Sequence, residues 1–270
     1  MGCGAIRMDK NKGAIPPPVI SVILPFYNRI DATLRAIASV EAQTYKNWEL
    51  IVINDGSTDG DEQLLKEKLS NVINAVYVKN SKNSGPSVAR NHGMRHASGA
   101  YIAFLDSDDE WLESKLEVQL THMLKNNWLF SHTSYWRIDT VINSKIIVHA
   151  GKILYRYPWV GFSCRIATPT VMVHRDSIAG IFFDERYRVA EDQVFWAQIA
   201  KKTILYGIDI ALSVVNANEL TTAKNFKLQS IAQKNVRNEL FRTKTTLFLA
   251  HYLYSYFRLI YLYLHRFFTI

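Results

Sequence analysis

Between residues 20 and 110 the chain alternates short apolar, β-branched runs with longer segments that mix polar and apolar residues. This alternation is typical of βαβ units, in which helices connect parallel strands and cover the sheet. The predicted strands are 20–25, 49–54, 74–79 and 100–105, and the predicted helices are 30–43, 59–69 and 86–97. The sequence therefore predicts an α/β fold with a Rossmann-like, mostly parallel sheet flanked by helices.

The regular alternation ends after residue 110. The pattern beyond it predicts a helix over 112–126, a short strand over 171–174 and a helix over 191–201. No internal repeat and no long low-complexity linker divides the chain, which favours one main domain. The predicted division is a flexible leader over 1–19, the main domain over 20–215 and a helical C-terminal region over 216–270.

Composition excludes several classes of protein. The 270 residues carry a formal net charge of +8, and 48% of them are hydrophobic, which suits a folded core and excludes disorder over most of the chain. Cys3 and Cys164 are too few for a disulfide framework and lack the paired spacing of a structural zinc site. The first residues also lack the apolar core of a secretory signal. We therefore expect a cytoplasmic location.

The positive charge raises the question of nucleic-acid binding. The basic residues of the main domain are dispersed, and no recognised nucleic-acid motif is present. The acidic residues at 106–110 would also repel phosphate groups unless a cation neutralised them. We expect no nucleic-acid partner.

The C-terminal region concentrates basic and aromatic residues. From residue 234 onward one acid, Glu239, stands against the basic residues Lys234, Arg237, Arg242, Lys244, Arg258 and Arg266. Charges interrupt the apolar run too early for a membrane-spanning helix. The composition favours a helix in the interface of an anionic membrane, so we expect peripheral contact at the cytoplasmic face. A helix packed on the protein's own core or on a twin subunit is the alternative.

The strongest chemical signal is LDSDD, Leu105 to Asp109, which crowds three carboxylates at the end of a predicted strand. Such crowding is unfavourable unless a cation neutralises it, and oxygen ligands favour Mg²⁺ or Mn²⁺ bound together with substrate phosphates. Ser107 separates Asp106 from Asp108, so the two carboxylates can take different roles. An acidic turn that caps the next helix is the alternative reading.

Two further loops follow predicted structural elements. NDGSTD, 54–59, ends a strand with Asp55, and it is either an ordinary strand-to-helix turn or a place where a carboxylate accepts hydrogen bonds from a nucleotide. NSGPSVARNHG, 83–93, places Arg90 in the first turns of a helix, where an anion is favoured. In open α/β sheets, ligands bind at the carboxyl ends of the strands, so a site is expected near Asp55 and Asp106.

The order of these motifs is more informative than any one of them. ISVILPFYNR, then ELIVINDGSTDG, then NSGPSVARNHGMRHASGAYIAFLDSDDEW resembles the family 2 glycosyltransferases, which have the GT-A nucleotide-sugar fold. The resemblance is strong over about residues 20–115. It continues more loosely through FDERYRVAEDQVFWAQIAKK, 183–202, which is similar to the acidic acceptor-side motif of the same family.

The resemblance implies a role for particular residues on the donor side. Pro25, Tyr27 and Asn28 would hold the nucleotide base. Asp55 would bind the uracil or its ribose. Arg90 would lie against the nucleotide or its phosphates.

The resemblance also implies a metal site and a catalytic base. Asp108 would be the main ligand of Mn²⁺ or Mg²⁺, and Asp106 would contact the ribose or support the ion, with Ser107 beside them at the donor site. Glu191 and Asp192 would supply the base, and we expect Asp192 to be the acting member. Acids are also favourable at any helix N-terminus, which is the alternative for this pair.

The resemblance implies an inverting transfer from a UDP-sugar to a hydroxyl of a glycan or lipid-linked acceptor, in surface polysaccharide or lipopolysaccharide synthesis. The alternatives are a nucleotidyltransferase and a catalytically silent scaffold of the same fold. A nucleotidyltransferase typically carries a Gly-rich basic loop after the first strand, where this chain has PFYNR. Asp55, Asp108 and Asp192 are all present, which argues against a silent scaffold.

Overall fold

The computed structural model describes residues 18–59, 62–140, 142–151, 156–157, 160, 166–217, 226–241, 249–250 and 253–254. The strands are β1 Ile20–Phe26, β2 Trp48–Asn54, β3 Ala75–Lys79, β4 Tyr101–Phe104, β5 Glu110–Trp111, β6 Phe130–Asp139, β7 Ser144–Val148, β8 Met172–His174 and β9 Tyr206–Ala217. The helices are α1 Ile30–Glu41, α2 Glu62–Ser70, α3 Pro86–His96, α4 Lys115–Asn126, α5 Glu191–Ala200 and α6 Phe226–Phe241.

The first four strands form a parallel sheet in the order β3-β2-β1-β4. Helices cover both faces of such a sheet, so its strands are continuous apolar runs rather than alternating ones. In β1 and β2 every residue is buried apart from Pro25 and Glu49, which are partly exposed. The predicted βαβ pattern is confirmed, with α2 beginning three residues later than predicted.

The second half of the sheet is mixed. β8 pairs antiparallel with β4 and with β6, β6 pairs parallel with β9, and β5 and β7 add antiparallel edges. The predicted strand over 171–174 is confirmed as β8, and the predicted helix over 112–126 begins at Lys115. β5, β6, β7 and β9 were not predicted from the sequence. The first part of β6, SHTS, is polar yet buried, because it lies between two neighbouring strands.

An aromatic cluster fixes α5 against the sheet. Phe195 stacks on Phe183 with ring centroids 4.0 Å apart, and Trp196 packs on Phe104 and Phe130. All five side chains are at most 3% exposed. Burying rings of this size stabilises the packing of α5, so its N-terminus is held at a defined place beside β4.

α6 is the described helix of the C-terminal region. Its Ala232 and Val236 are buried in the same core cluster as α5. The predicted boundary at residue 215 falls just before the end of β9 and stays a prediction. Most of the predicted interfacial segment after residue 241, and the leader up to residue 17, lie outside the described residues. None of the helices in the described part of the chain is long and apolar enough to cross a bilayer.

Candidate functional site

The predicted site residues gather at one edge of the sheet, where β1, β2 and β4 end. Asp55 directly follows β2, and Asp106 is the second residue after β4. β1 lies between these two strands and runs parallel to both, so all three carboxyl ends meet in one crevice. The N-terminus of α5, with Glu191 and Asp192, closes the crevice on a further side.

The loop after β1 is shaped by two successive residues with positive φ, Asn28 at 56° and Arg29 at 61°. Asn is one of the few non-glycine residues that tolerates this conformation well. The backbone N–H of Asn28 donates to Ser57 Oγ at 2.8 Å, and its Oδ1 accepts from the N–H of Thr58 at 3.0 Å. These bonds tie the predicted nucleotide-binding loop to the NDGSTD turn.

Tyr27 and Pro25 lie at the rim of the crevice. The Tyr27 side chain is 43% exposed, although β1 before it is buried. Pro25 pairs with Ile53 and is partly exposed. An exposed aromatic ring at the end of a buried strand is available to stack on a ligand, and the role of Tyr27 at the nucleotide base stays a prediction.

Asp55 holds the loop that precedes α3. Its Oδ1 accepts from Asn80 Nδ2 at 2.8 Å and its Oδ2 accepts from the N–H of Gly85 at 2.8 Å, while the N–H of Ser84 lies 3.1 and 3.2 Å from the two oxygens. Gly85 has a φ of 96°, which favours glycine. The carboxylate has few lone pairs left for a ligand, so its predicted contact with uracil or ribose stays a prediction.

The three carboxylates of LDSDD point to different partners. Asp106 Oδ1 accepts from Arg90 at 2.7 Å, and Asp108 Oδ2 accepts from Arg29 at 2.9 Å. Asp109 is 4% exposed and its Oδ1 accepts from the N–H of Asn216 on β9 at 2.9 Å. Asp109 therefore secures the second half of the sheet, whereas Asp106 and Asp108 remain partly exposed at the crevice with Ser107 between them.

Burial and neighbouring charges raise the pKa values of Asp108 and Asp109. Burial and the charge of Asp106 raise the pKa of Asp108, although Arg29 opposes the shift. Burial, with the charges of Asp106 and Asp108, raises the pKa of Asp109 well above its ordinary value. Three carboxylates thus share this turn with two arginines, Arg29 and Arg90.

Arg90 joins the two acidic motifs. It is 5% exposed, and its two terminal nitrogens donate to Asp106 at 2.7 Å and to Glu191 at 2.9 Å. Burial alone would lower the pKa of Arg90, but the charges of Asp106 and Glu191 outweigh it and raise that pKa, so the guanidinium stays charged. The structure makes Arg90 a bridge between carboxylates, and its predicted contact with the donor remains a prediction.

The acidic pair begins α5. Ala190 before it has a φ of 60°, so the chain turns sharply into the helix. Glu191 is 9% exposed and is engaged by Arg90. Burial, together with the charge of Glu191, raises the pKa of Asp192 to about 7, with Arg90 opposing the shift. A carboxylate with a pKa near 7 can exchange a proton at neutral pH.

Three residues that were not predicted also contribute to the site: Arg29, Arg188 and Asn216. The Arg188 guanidinium carbon lies 3.6 Å from the position that a Cβ on Gly85 would occupy, so the side chain covers the start of α3 beside Asp55. Within the described residues Arg188 forms no ion pair. Arg29 could have been found from the sequence, because it directly follows the predicted site residue Asn28. The positions of Arg188 and Asn216 depend on tertiary contacts.

The residues at the crevice fit a magnesium or manganese ion. In the described part of the chain no three His, Cys, Asp or Glu side chains are arranged as a complete metal cage. Mg²⁺ does not need one, because it is usually bound by one or two carboxylates, with water and substrate phosphates completing the shell. Asp106 and Asp108 provide two oxygen donors whose mutual repulsion a cation would relieve.

The model of glycosyl transferase family 2 matches residues 21–177. A protein of Rickettsia bellii, named an uncharacterized glycosyltransferase, is 43% identical over 212 residues, which are 78% of this chain and 30% of the relative. The chain thus spans about a third of the length of the rickettsial relatives. The Escherichia coli protein WfgD, named a UDP-Glc:alpha-D-GlcNAc-diphosphoundecaprenol beta-1,3-glucosyltransferase, is 32% identical over 223 residues, with 81% of each chain covered.

The fold is also similar to solved structures. The crystal structure of Staphylococcus aureus TarS, residues 1–349, superposes with a TM-score of 0.66 at 20% identity, covering 88% of this chain and 72% of that TarS fragment. TarS has also been solved in complex with UDP and with UDP-GlcNAc. At this identity the likeness concerns the fold.

Proposed function

This chain belongs to glycosyl transferase family 2, and from that premise we propose that it is an inverting glycosyltransferase that moves a sugar from a UDP-sugar to an acceptor hydroxyl. The observation that carries the proposal is the bridge through Arg90, which brings the acidic motif after β4 and the acidic pair of α5 to one crevice. A glycosyltransferase needs both acidic motifs in one crevice. The motif after β4 would hold the metal ion that stabilises the leaving diphosphate, and the acidic pair of α5 would deprotonate the attacking hydroxyl.

The donor's nucleoside is proposed to lie across the ends of β1 and β2. Tyr27, Asn28 and Pro25 form one wall, and Asp55 with the loop at Gly85 forms the other. Arg188 adds an exposed cation over that loop, which suits the negatively charged diphosphate of the donor. Arg90 is proposed to lie below the donor, because its guanidinium is buried between the two acidic motifs.

Asp108 and Asp106 would hold Mn²⁺ or Mg²⁺ next to the donor diphosphate. When bound, the ion supplies positive charge that stabilises the leaving diphosphate. This chain's own contribution is to present the two carboxylates at fixed positions, since Arg90 and Arg29 orient one oxygen of each. Ser107 lies between them and is proposed to contact the donor.

Asp192 is the proposed catalytic base. Glu191 is engaged by the buried Arg90, which leaves Asp192 as the member able to take a proton. Its carboxylate would accept the acceptor's hydroxyl proton while the hydroxyl oxygen bonds to the anomeric carbon and the bond from that carbon to the diphosphate breaks. A single displacement of this kind inverts the anomeric centre, so an α-linked donor would give a β-linked product.

The acceptor is proposed to be a glycan or a lipid-linked sugar used in surface polysaccharide or lipopolysaccharide synthesis. WfgD, a relative covered over 81% of its length, is named for transfer to a diphosphoundecaprenol-linked sugar. An acceptor of this class is anchored in a membrane, which agrees with the basic and aromatic composition of the C-terminal region. We therefore place the enzyme at the cytoplasmic face of the membrane.

The proposal is tested by calorimetric titration with UDP and a panel of UDP-sugars, each with Mn²⁺ and then with EDTA. We expect UDP to bind in a metal-dependent manner, and one UDP-sugar to be hydrolysed slowly to UDP. Asp108→Asn should weaken the metal-dependent binding, whereas Asp192→Asn should retain binding and lose turnover. Asp176→Asn is the matched control, since that side chain is 84% exposed.

Each result has a defined meaning. If a folded wild-type chain binds neither UDP nor any UDP-sugar with metal present, the proposed UDP-sugar donor is wrong. If UDP binds but no donor is turned over and Asp192→Asn changes nothing, a silent scaffold is the better account.

A further inference from the structure

Residues 184–190, called here the base loop, deliver the proposed base to the crevice. The base loop contains no helix or strand, and it ends at Ala190, whose φ of 60° turns the chain into α5. A segment without its own ladder of backbone hydrogen bonds takes its position from contacts with neighbouring elements. The placement of Asp192, two residues beyond the loop, therefore depends on what holds the loop.

α6 holds the base loop from one side. Asn235 Nδ2 donates to the carbonyl oxygen of Val189 at 3.0 Å. One turn later on the same helix face, Glu239 Oε2 accepts from Arg186 at 2.9 Å and from the Tyr187 hydroxyl at 3.1 Å. Ala232 and Val236, which are buried, anchor the helix to the core.

α3 holds the loop from the other side. Ser87 Oγ donates to the carbonyl oxygen of Tyr187 at 3.1 Å. Asn91 donates to the carbonyl oxygen of Phe183 at 2.8 Å and accepts from its N–H at 2.9 Å, just before the base loop begins. The base loop is thus clamped between α3, which also carries Arg90, and α6.

We propose that Asn235 and Glu239 are positioning residues, which hold the base loop and thereby place the carboxylate of Asp192 in the crevice. Both residues lie beyond residue 177, where the match to the family model ends. The inference rests on the proposed function for the role of Asp192, whereas the clamp itself rests on the contacts above. Loosening the clamp should impair the chemical step more than donor binding, because the proposed donor residues other than Arg188 lie outside the base loop.

The test compares Asn235→Asp and Glu239→Ala with Asn238→Ala, an exposed residue of the same helix. Asn235→Asp replaces the donor with a carboxylate that repels the Val189 carbonyl. Amide hydrogen exchange over residues 184–192 should become several-fold faster in both variants and stay unchanged in the control. The kcat for hydrolysis of the UDP-sugar should fall about ten-fold, with a smaller rise in its KM because Arg188 belongs to the loosened loop.

Glu239→Gln supplies the rescue, because its amide oxygen still accepts from Arg186 and Tyr187. It should retain most of the turnover and protection that Glu239→Ala loses. Unchanged exchange in the base loop overturns the inference whatever the activity. Faster exchange with an unchanged kcat overturns it as well, since the clamp would then not place the base. A wild-type chain that turns over no UDP-sugar contradicts the proposed function, and the exchange data still decide the clamp.

Discussion

At the scale of single residues, the candidate site depends on ion pairs between buried acidic and basic side chains. Arg90 is buried with one carboxylate from each acidic motif, and this pairing leaves Asp192 beside the charge of Glu191. Removing either partner of a buried ion pair leaves an uncompensated charge, which is far more costly than losing an exposed pair. The properties of Asp192 therefore follow from its neighbours rather than from its own position in the sequence.

The raised pKa of Asp192 has a consequence for activity. A base must be deprotonated to act, so kcat should rise with pH through about 7, the folded-state pKa of Asp192. Asp192→Asn should lower kcat by about 10² to 10⁴-fold at pH 8 and remove this limb of the profile. A pH–rate profile of UDP-sugar turnover checks the prediction, and a limb that stays near pH 7 in Asp192→Asn would contradict it.

The same pKa affects stability with a definite sign. Between about pH 4 and pH 7 the folded state binds a proton on Asp192 that the unfolded state has released, so this group's contribution to the free energy of unfolding falls as pH rises. Urea unfolding of the wild type and Asp192→Asn at both ends of this window should show the variant gaining relative stability at the higher pH.

Lys115 is a second buried group with a predictable effect. It is fully buried, its amine lies 3.8 Å from the Trp111 ring centroid, and burial lowers its pKa well below the ordinary value. Below about pH 10 the lysine is protonated in the unfolded state, whereas burial disfavours its protonation in the folded state. The free energy of unfolding therefore rises as the pH approaches about 10. Lys115→Met should raise the free energy of unfolding at pH 7 by about 1–3 kcal/mol.

The advantage of Lys115→Met should shrink as the pH approaches about 10, where the lysine of the unfolded chain also loses its proton. Denaturant unfolding at both pH values provides the measurement. Lys125→Met, at an exposed position of α4, is the control and should change stability little. If Lys115→Met is no more stable than the wild type at pH 7, contacts in the folded state offset the cost of burying the amine.

Arg188 gives a prediction about the donor. If its guanidinium contacts the diphosphate, Arg188→Gln should weaken UDP binding about ten-fold or more, because charged hydrogen bonds contribute about 1.5–3 kcal/mol. Uridine, which lacks phosphates, should bind the variant and the wild type equally. Lys46→Gln, before β2 at the opposite end of the strand, serves as the control in the same titration. An unchanged affinity for UDP would exclude the contact.

At the scale of elements, α3 must approach the sheet closely to bring Arg90 between the acidic motifs. Gly93 permits this approach, because a Cβ there would lie 2.4 Å from Ile23 Cγ2 and 2.9 Å from Ile53 Cδ1. The glycine is thus required for packing rather than for a special backbone conformation. The position of the base loop likewise depends on contacts between elements, because α3 and α6 hold the loop from two sides.

Gly93→Ala tests the close packing of α3. The added methyl group should cost about 1–3 kcal/mol of stability, because the branched side chains of β1 and β2 have no room to move. For a domain of this size that corresponds to a Tm lower by roughly 2–4 °C per kcal/mol. Arg95→Ala, on the exposed side of α3, should leave the Tm nearly unchanged. A stabilising Gly93→Ala would mean that the helix can shift without cost.

At the scale of the whole molecule, net charge and location are connected. The charge of +8 favours any anionic surface, and the basic and aromatic composition after residue 234 favours a membrane interface. The full chain should therefore sediment with vesicles rich in phosphatidylglycerol, and less so with phosphatidylcholine vesicles or at high salt. Replacing Lys244, Arg258 and Arg266 together with glutamine should weaken the binding, and equal binding to both vesicle types would contradict the electrostatic account.

The sequence by itself determined the parallel half of the sheet and the edge at which the site lies. Those features follow from local patterns, because apolar runs, turn residues and helix starts are set by neighbours along the chain. Asp55 and Asp106 could be identified in this way, whereas the role of Asp192 was predicted from the family resemblance. Strands such as β6 could not, since their buried polar residues have partners far away in the sequence.

The tertiary structure alone decided which partner each charged group meets. It turned Asp109 inward to Asn216, joined Arg90 to Glu191 across 101 residues, and placed Arg188 over Gly85. These pairings depend on the packing of α3, α5 and β9, and no local propensity encodes them. The electrostatic potential at a buried residue is a sum over its neighbours in space, which is why the sequence could propose the site carboxylates and the fold had to set their electrostatic environment.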